Sequence, residues 1–263
     1  IAVGEEGAKI VEEIIIAISY YGIDKPLFLS YPSDDDQRIK NLTVVENSEF
    51  EGETWEFQLT ITDADSESNP DGGKGMQVFW NRNPLKGIAI IKPYNLDRVH
   101  DAGSGEAMYR IDYDETGTNG YEAEMTVYVA GLPLASPEID PYAMNNMKMW
   151  AGKNGNYVDI SGNSNHPNAR FFTDDTGFNW AFVASGKETE DLGVAEVGLP
   201  PNTLNESARE QLLEYYSIKN VFVRAVQEEY TLATEEMIAP YLINTEAPGY
   251  FNSQGFIIGG TSP

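Results

Sequence analysis

The sequence predicts a mainly β fold, an antiparallel sandwich or barrel with an N-terminal helix and short C-terminal helices. Three observations carry that expectation. Trp55, Phe57, Leu59 and Ile61 alternate with polar residues over Thr54–Thr62, the period of a half-buried strand. Short apolar runs follow one another downstream, punctuated by Gly, Asn, Asp and Pro. No Pro-, Ser- or Gly-rich linker and no fixed repeat divides the chain, so one domain over 1–263 is the default and a split near 133–141 the second choice.

In order along the chain, Gly4 to Tyr21 places Ile10, Ile14 and Ile18 at every fourth position with Val11 and Ile15 beside them, while Glu5, Glu6, Glu12 and Glu13 fall elsewhere. That is an amphipathic helix, although its β-branched end IIIAISYY also suits a strand. Ile23 to Pro32 reads as extended and Ser33 to Asp36 as a charged turn. Strands dominate from Leu42 to about Val129. Met76–Trp80 and Gly87–Tyr94 flank residues 81–86 as an antiparallel pair, and Ala107–Asp114 and Tyr121–Leu132 flank the Glu115–Gly120 turn as a hairpin. Met147–Trp150, Tyr157–Ile160, Ala169–Thr173, Asn179–Ser185 and Val194–Val197 are further short strands. Ser207-Ala-Arg-Glu210 is a capping box ahead of Leu212, Leu213 and Tyr216, which predicts a helix over 208–217. Asn220–Gln227 returns as a strand, and Thr234–Tyr241 as one or two helical turns.

Charge narrows the partners. Lys plus Arg is 17 and Asp plus Glu is 42, so the formal charge is 17 − 42 = −25. A field of that sign repels phosphate backbones and anionic membranes, so nucleic acid is not an expected partner. No apolar run reaches the ~20 residues of a membrane helix. The 263 residues hold no cysteine, which excludes disulfides, zinc–thiolate sites, iron–sulfur clusters and thiol nucleophiles. Two histidines, His100 and His166, leave little material for a multi-histidine metal site or a Ser-His-Asp triad, and both sit in loop-like contexts. Ile1 is not an initiator Met, which leads one to expect a removed signal, with a lipidated Cys upstream of Ile1 as one form of it.

Three patterns suggest chemistry. Asp63, Asp65, Glu67 and Asp71 bring oxygens at near-alternate positions, as a Ca²⁺ loop does, but Ser68 stands where an EF-hand needs Gly and Lys74 where it needs Glu. A solvated acidic loop is the competing reading. Asp112 with Asp114, Glu122 with Glu124, and Asp174 with Asp175 have the spacing of paired glycosidase carboxylates, which 42 acids also produce by chance. Trp80, beside Asn81 and Asn83, and Trp150, near Asn154 and Asn156, place an indole next to amides. A sugar-binding face uses that combination: the ring stacks on C–H groups and the amides bond hydroxyls. Core packing of the two rings is the alternative.

The Asn-rich stretch Met144 to Phe172 includes Asp159-Ile-Ser-Gly-Asn-Ser-Asn-His166. These eight residues are similar to the D-x-S-G-N-x-N-H stretch of concanavalin-A-like, laminin-G-type sandwich domains. The resemblance implies a β-sandwich, with the stretch as a structural strand-end turn. Lys86-Gly-Ile-Ala-Ile-Ile-Lys-Pro-Tyr-Asn-Leu96 and Trp180-Ala-Phe-Val-Ala-Ser-Gly186, with the acidic charge and missing Cys, resemble exported lipoproteins of Bacteroidota type. That resemblance implies export and anchoring at the periplasm or outer-membrane surface. The functional expectation is a non-enzymatic cell-envelope module for binding or structure, with glycans as candidate ligands; the alternative is an acidic glycoside hydrolase.

Overall fold

The computed structural model describes residues 25–100 and 107–169 and the strands within 178–258 named below. The chain groups into two compact units. One holds Ile1–Thr116, Val127–Pro133 and Ala247–Pro263; the other holds Gly117–Thr126 and Leu134–Glu246. The chain crosses between them after Thr116, Thr126, Pro133 and Glu246.

The first unit is an antiparallel meander. β1 (Leu27–Pro32) is followed by β2 (Ile39–Phe50), β3 (Glu53–Asp63), β4 (Lys74–Arg82), β5 (Leu85–Ile91) and β6 (Met108–Asp114), each paired with the strand before. Opposed pairs include Leu27–Val44, Lys40–Asp63, Phe57–Trp80, Val78–Ala89 and Ala89–Ile111. Glu51 (φ 53°) and Gly52 (φ 81°) make the two-residue turn from β2 to β3; both central residues are left-handed, as the twist of a tight hairpin demands. Trp55, Phe57 and Leu59 bury as their alternation predicts, with Ile61 partly covered. The runs Val78–Trp80 and Ile88–Ile91 are continuous because both faces of β4 and β5 are buried there. Trp55, Phe79, Ile88, Ile90 and Met108 form the core cluster, and Phe50 stacks on Phe79 at 4.1 Å between centroids. β5 stops at Ile91, short of the expected Tyr94. Pro93 has no N–H to give the ladder and instead opens a single helical turn, α1 (Pro93–Leu96). A hairpin of β14 (Gly249–Asn252) and β15 (Gly255–Ile258) also belongs to this unit.

β7 (Ala123–Ala130) has its first half in the second unit and its second half in the first. In the second unit β8 (Asn146–Asn154), β9 (Tyr157–His166), β10 (Phe178–Lys187) and β11 (Leu192–Gly198) follow as an antiparallel meander. β12 (Phe222–Val226) and β13 (Glu229–Ala233) form a separate hairpin. Met147, Met149 and Trp150 are buried from β8.

The stretch Asp159–His166, expected as a strand-end turn, lies inside β9. It pairs with β8 on one side and β10 on the other, and two ladders override the turn preference of Asn and Gly. Ala169 belongs to no strand, and the rest of the strand expected over 169–173 lies outside the described residues. So do the helices expected at 4–21, 208–217 and 234–241. Among the described residues no helix is long and apolar enough to cross a membrane.

Candidate functional site

The acidic loop is a dense polar site among the described residues. β3 ends at Asp63, opposite Lys40 of β2. The Asp63 carboxylate is fully buried. Arg38 donates to it through Nε (2.6 Å) and Nη2 (2.8 Å), and Lys40 Nζ donates at 3.2 Å. Lys40, itself buried, also donates to Asp36 Oδ2 (2.9 Å) and to the Asn95 carbonyl of α1 (3.1 Å). Asp36 accepts backbone N–H bonds from Arg38 and Arg98, and the Arg98 guanidinium donates to Ser66 Oγ at 2.8 Å. Farther along the loop, Asp71 accepts from Lys92 Nζ and Asn95 Nδ2, both at 2.8 Å, and from the Gly73 N–H at 2.9 Å. Gly73 has φ +66°, and a Cβ there would lie 2.6 Å from the Asp63 carbonyl, so the loop closes only with glycine.

These contacts set the protonation. Burial alone would raise the Asp36 pKa, but the Lys40 hydrogen bond and the two backbone N–H groups bring it down to about 2. Burial likewise works against ionised Asp63 and Asp71. Arg38 and Lys40 outweigh it at Asp63, and Lys92, Asn95 and Gly73 at Asp71, so both stay below the ordinary carboxylate range.

The four residues proposed for Ca²⁺ therefore have separate partners. Asp63 and Asp71 are held by the protein's own cations, Asp65 is exposed with Arg38 at 3.8 Å, and Glu67 accepts from Asn41 and Thr62. Among the described residues no three His, Asp or Glu gather where they could share an ion. Spacing along the loop does not reveal that the strand register sets Lys40 against Asp63 and places Arg38 within reach of it.

The tryptophan positions differ from the expected sugar rim. Trp80 is 3% exposed and Trp150 5%. Trp80 stacks on Phe57 at 5.2 Å, with the Arg82 guanidinium 4.8 Å from the Phe57 ring centre. Asn81 Oδ1 accepts the Glu56 N–H, and Asn83 is exposed in the turn after β4. Trp150 donates from Nε1 to Glu124 Oε2 at 3.0 Å and meets Tyr121 edge-on at 4.9 Å. A Cβ on Gly152 would fall 2.6 Å from both of those rings, so the absence of a side chain there lets them close. Asn154 donates to the Gly120 carbonyl, and Asn156 is exposed. Rings covered to this degree have no open face for a hexose. They are core, because the apolar area of an indole gains more from burial than from a turn-side position in water.

Of the paired carboxylates, Asp112 accepts from Arg110 at 2.6 Å and Glu124 from Trp150. Asp174 and Asp175 lie outside the described residues. Two residues carry more structure than their sequence context suggests. Arg110 is buried and bonds Glu51 through Nη1 (2.6 Å) and Nη2 (2.8 Å) besides Asp112. Burial works against its charge, yet these carboxylates hold its pKa above the ordinary value. Its position between Met108 and Asp112 on one strand face is the available signal. His166, expected in a loop, is the last residue of β9. Its Nδ1 donates to the Tyr142 carbonyl at 2.6 Å and its Nε2 meets Ser164 Oγ at 2.7 Å, so it pins the strand end.

No protein-family model matches the chain, and neither a curated protein nor a solved structure matches it.

Proposed function

We propose that the chain is a non-enzymatic module of a bacterial cell envelope, exported past the inner membrane, that works by binding or by building structure. The observation that carries this is the state of three buried carboxylates of the first unit. A glycoside hydrolase needs one carboxyl raised in pKa as acid and a second kept ionised as base or nucleophile. Asp36, Asp63 and Asp71 are all lowered, each by cations or N–H groups of the same unit. Such groups tie loops to strands; they do not deliver protons near neutral pH. A sandwich packing of the strands belongs to the same reading.

The test has two arms. Fractionation of the source bacterium should recover the protein in the envelope, and recovery in the cytosol overturns the location. Purified protein should release no reducing sugar from a panel of plant and host polysaccharides. Release that Asp112→Asn abolishes overturns the non-enzymatic reading in favour of the hydrolase.

A further inference from the structure

Among the described residues β1 is a sheet edge, and its composition suits pairing with itself. Among the described residues it has one strand neighbour, β2. Leu27 and Leu29 lie opposite Val44 and Leu42, on the face where Val44 and Lys40 are buried, yet they are 46% and 49% exposed. Phe28, on the other face, is 66% exposed, and Ile39 and Val45 of β2 are exposed on that side too. Apolar surface therefore runs off both faces at the edge, which is the area an added strand covers. The usual protections are missing between Leu27 and Tyr31: that run holds no charge and no proline.

We propose that this edge is an isologous interface in which a second copy of the chain adds its own β1, antiparallel, with Leu29 opposite Leu29. The choice of a second copy rests on the symmetry of the segment. Pro26 and Pro32 stand three residues either side of Leu29, so a two-fold axis through Leu29 puts proline against proline and ends the ladder equally at both ends. Within it Leu27 faces Tyr31 and Phe28 faces Ser30. Exposed Lys25 lies beyond one proline, and exposed Asp34 and Asp35 lie beyond the other. The axis therefore brings the Lys25 end of each copy to the Asp34–Asp35 end of its mate. The net charge of −25 opposes association at long range, but salt at 0.15 M screens it beyond about 8 Å. A ladder this short covers less than the ~1,600 Å² of a standard interface, so the dimer forms at micromolar concentrations or above.

The absence of native cysteine makes the register directly readable. Leu29→Cys sits on the axis, where opposed residues come within disulfide reach, whereas two Leu27→Cys side chains are each opposite Tyr31 and far apart. Mild oxidation at 0.15 M NaCl should give a covalent dimer from Leu29→Cys and single chains from Leu27→Cys. Sedimentation equilibrium should show concentration-dependent doubling of the 29.1 kDa mass, lost in Leu29→Lys. Equal crosslinking at both positions, a dimer that survives Leu29→Lys, or a single-chain mass at all concentrations with no Leu29→Cys crosslink overturns the proposal. The last result would also be produced by another segment of the chain covering β1, or by an edge kept for a different protein. The two cysteine variants keep the test decisive if Leu29→Lys fails to fold.

Discussion

Among the described residues, two polar joints, one in each unit, use different chemistry. In the first, a buried lysine and two arginines meet carboxylates at the joint between β2, β3 and α1: Lys40, Arg38 and Arg98 with Asp36 and Asp63. In the second, aromatic groups donate to carboxylates: Trp150 to Glu124 and Tyr121 to Asp159. An ionic joint works only if complete, because removing one member leaves charge buried and unpaired. An aromatic joint mixes one hydrogen bond with a large packed area, so its loss is mainly a loss of packing. A chain with 42 acids and 17 bases has few cations to place, and the first unit spends several of them on fixing one loop.

The sharpest way to break the contrast is Asp63→Ala. It takes the shared carboxylate from Arg38 and Lys40, leaving Lys40 to Asp36 alone, and should destabilise the first unit by ~3–5 kcal/mol, read by denaturant unfolding with amide exchange in β3 as the local probe. A loss under about 1 kcal/mol would mean that water already screens the joint. Trp150→Ala should cost the second unit ~3–5 kcal/mol, and Trp80→Ala the first a similar amount. A nearly unchanged melting temperature, with sugar retention lost, would instead restore the rings as binding faces. Gly152→Ala drives a methyl against Trp150 and Tyr121 and should cost about 1–3 kcal/mol by overpacking. Equality with wild type would show that these rings have room to shift.

Acid separates the ionic joint from its surroundings more gently. Asp36, Asp63 and Asp71 have folded pKa values below their unfolded ones. The stability they contribute is therefore fully present above the ordinary carboxylate range. It is lost as pH falls from about 4 toward the folded value of about 2 at Asp36. Protection of the amides around Asp63 should fall in that window; protection independent of pH from 5 to 2 would contradict the pairing. The smallest expected effect is that of Ca²⁺. Because Arg38, Lys40 and Lys92 already occupy the Asp63 and Asp71 carboxylates, millimolar Ca²⁺ after chelation should leave the melting temperature unchanged. An upward shift would show that the loop can exchange its own cations for the ion.

What the sequence determined by itself is local. The alternation Trp55-Phe57-Leu59 sets β3, and the unbroken runs at Val78–Trp80 and Ile88–Ile91 set the doubly buried strands. The turn residues between them set the hairpins, since each of these signals spans only a few residues. The tertiary structure decided everything that depends on partners distant along the chain. It tied the acidic loop to Arg38, Lys40 and Lys92, and it buried two tryptophans that stand beside turns. It also drew Asp159–His166 into the middle of a sheet. Register is the physical reason: which charge meets which, and which ring is covered, follows from how strands align, and a window of neighbouring residues does not contain that alignment.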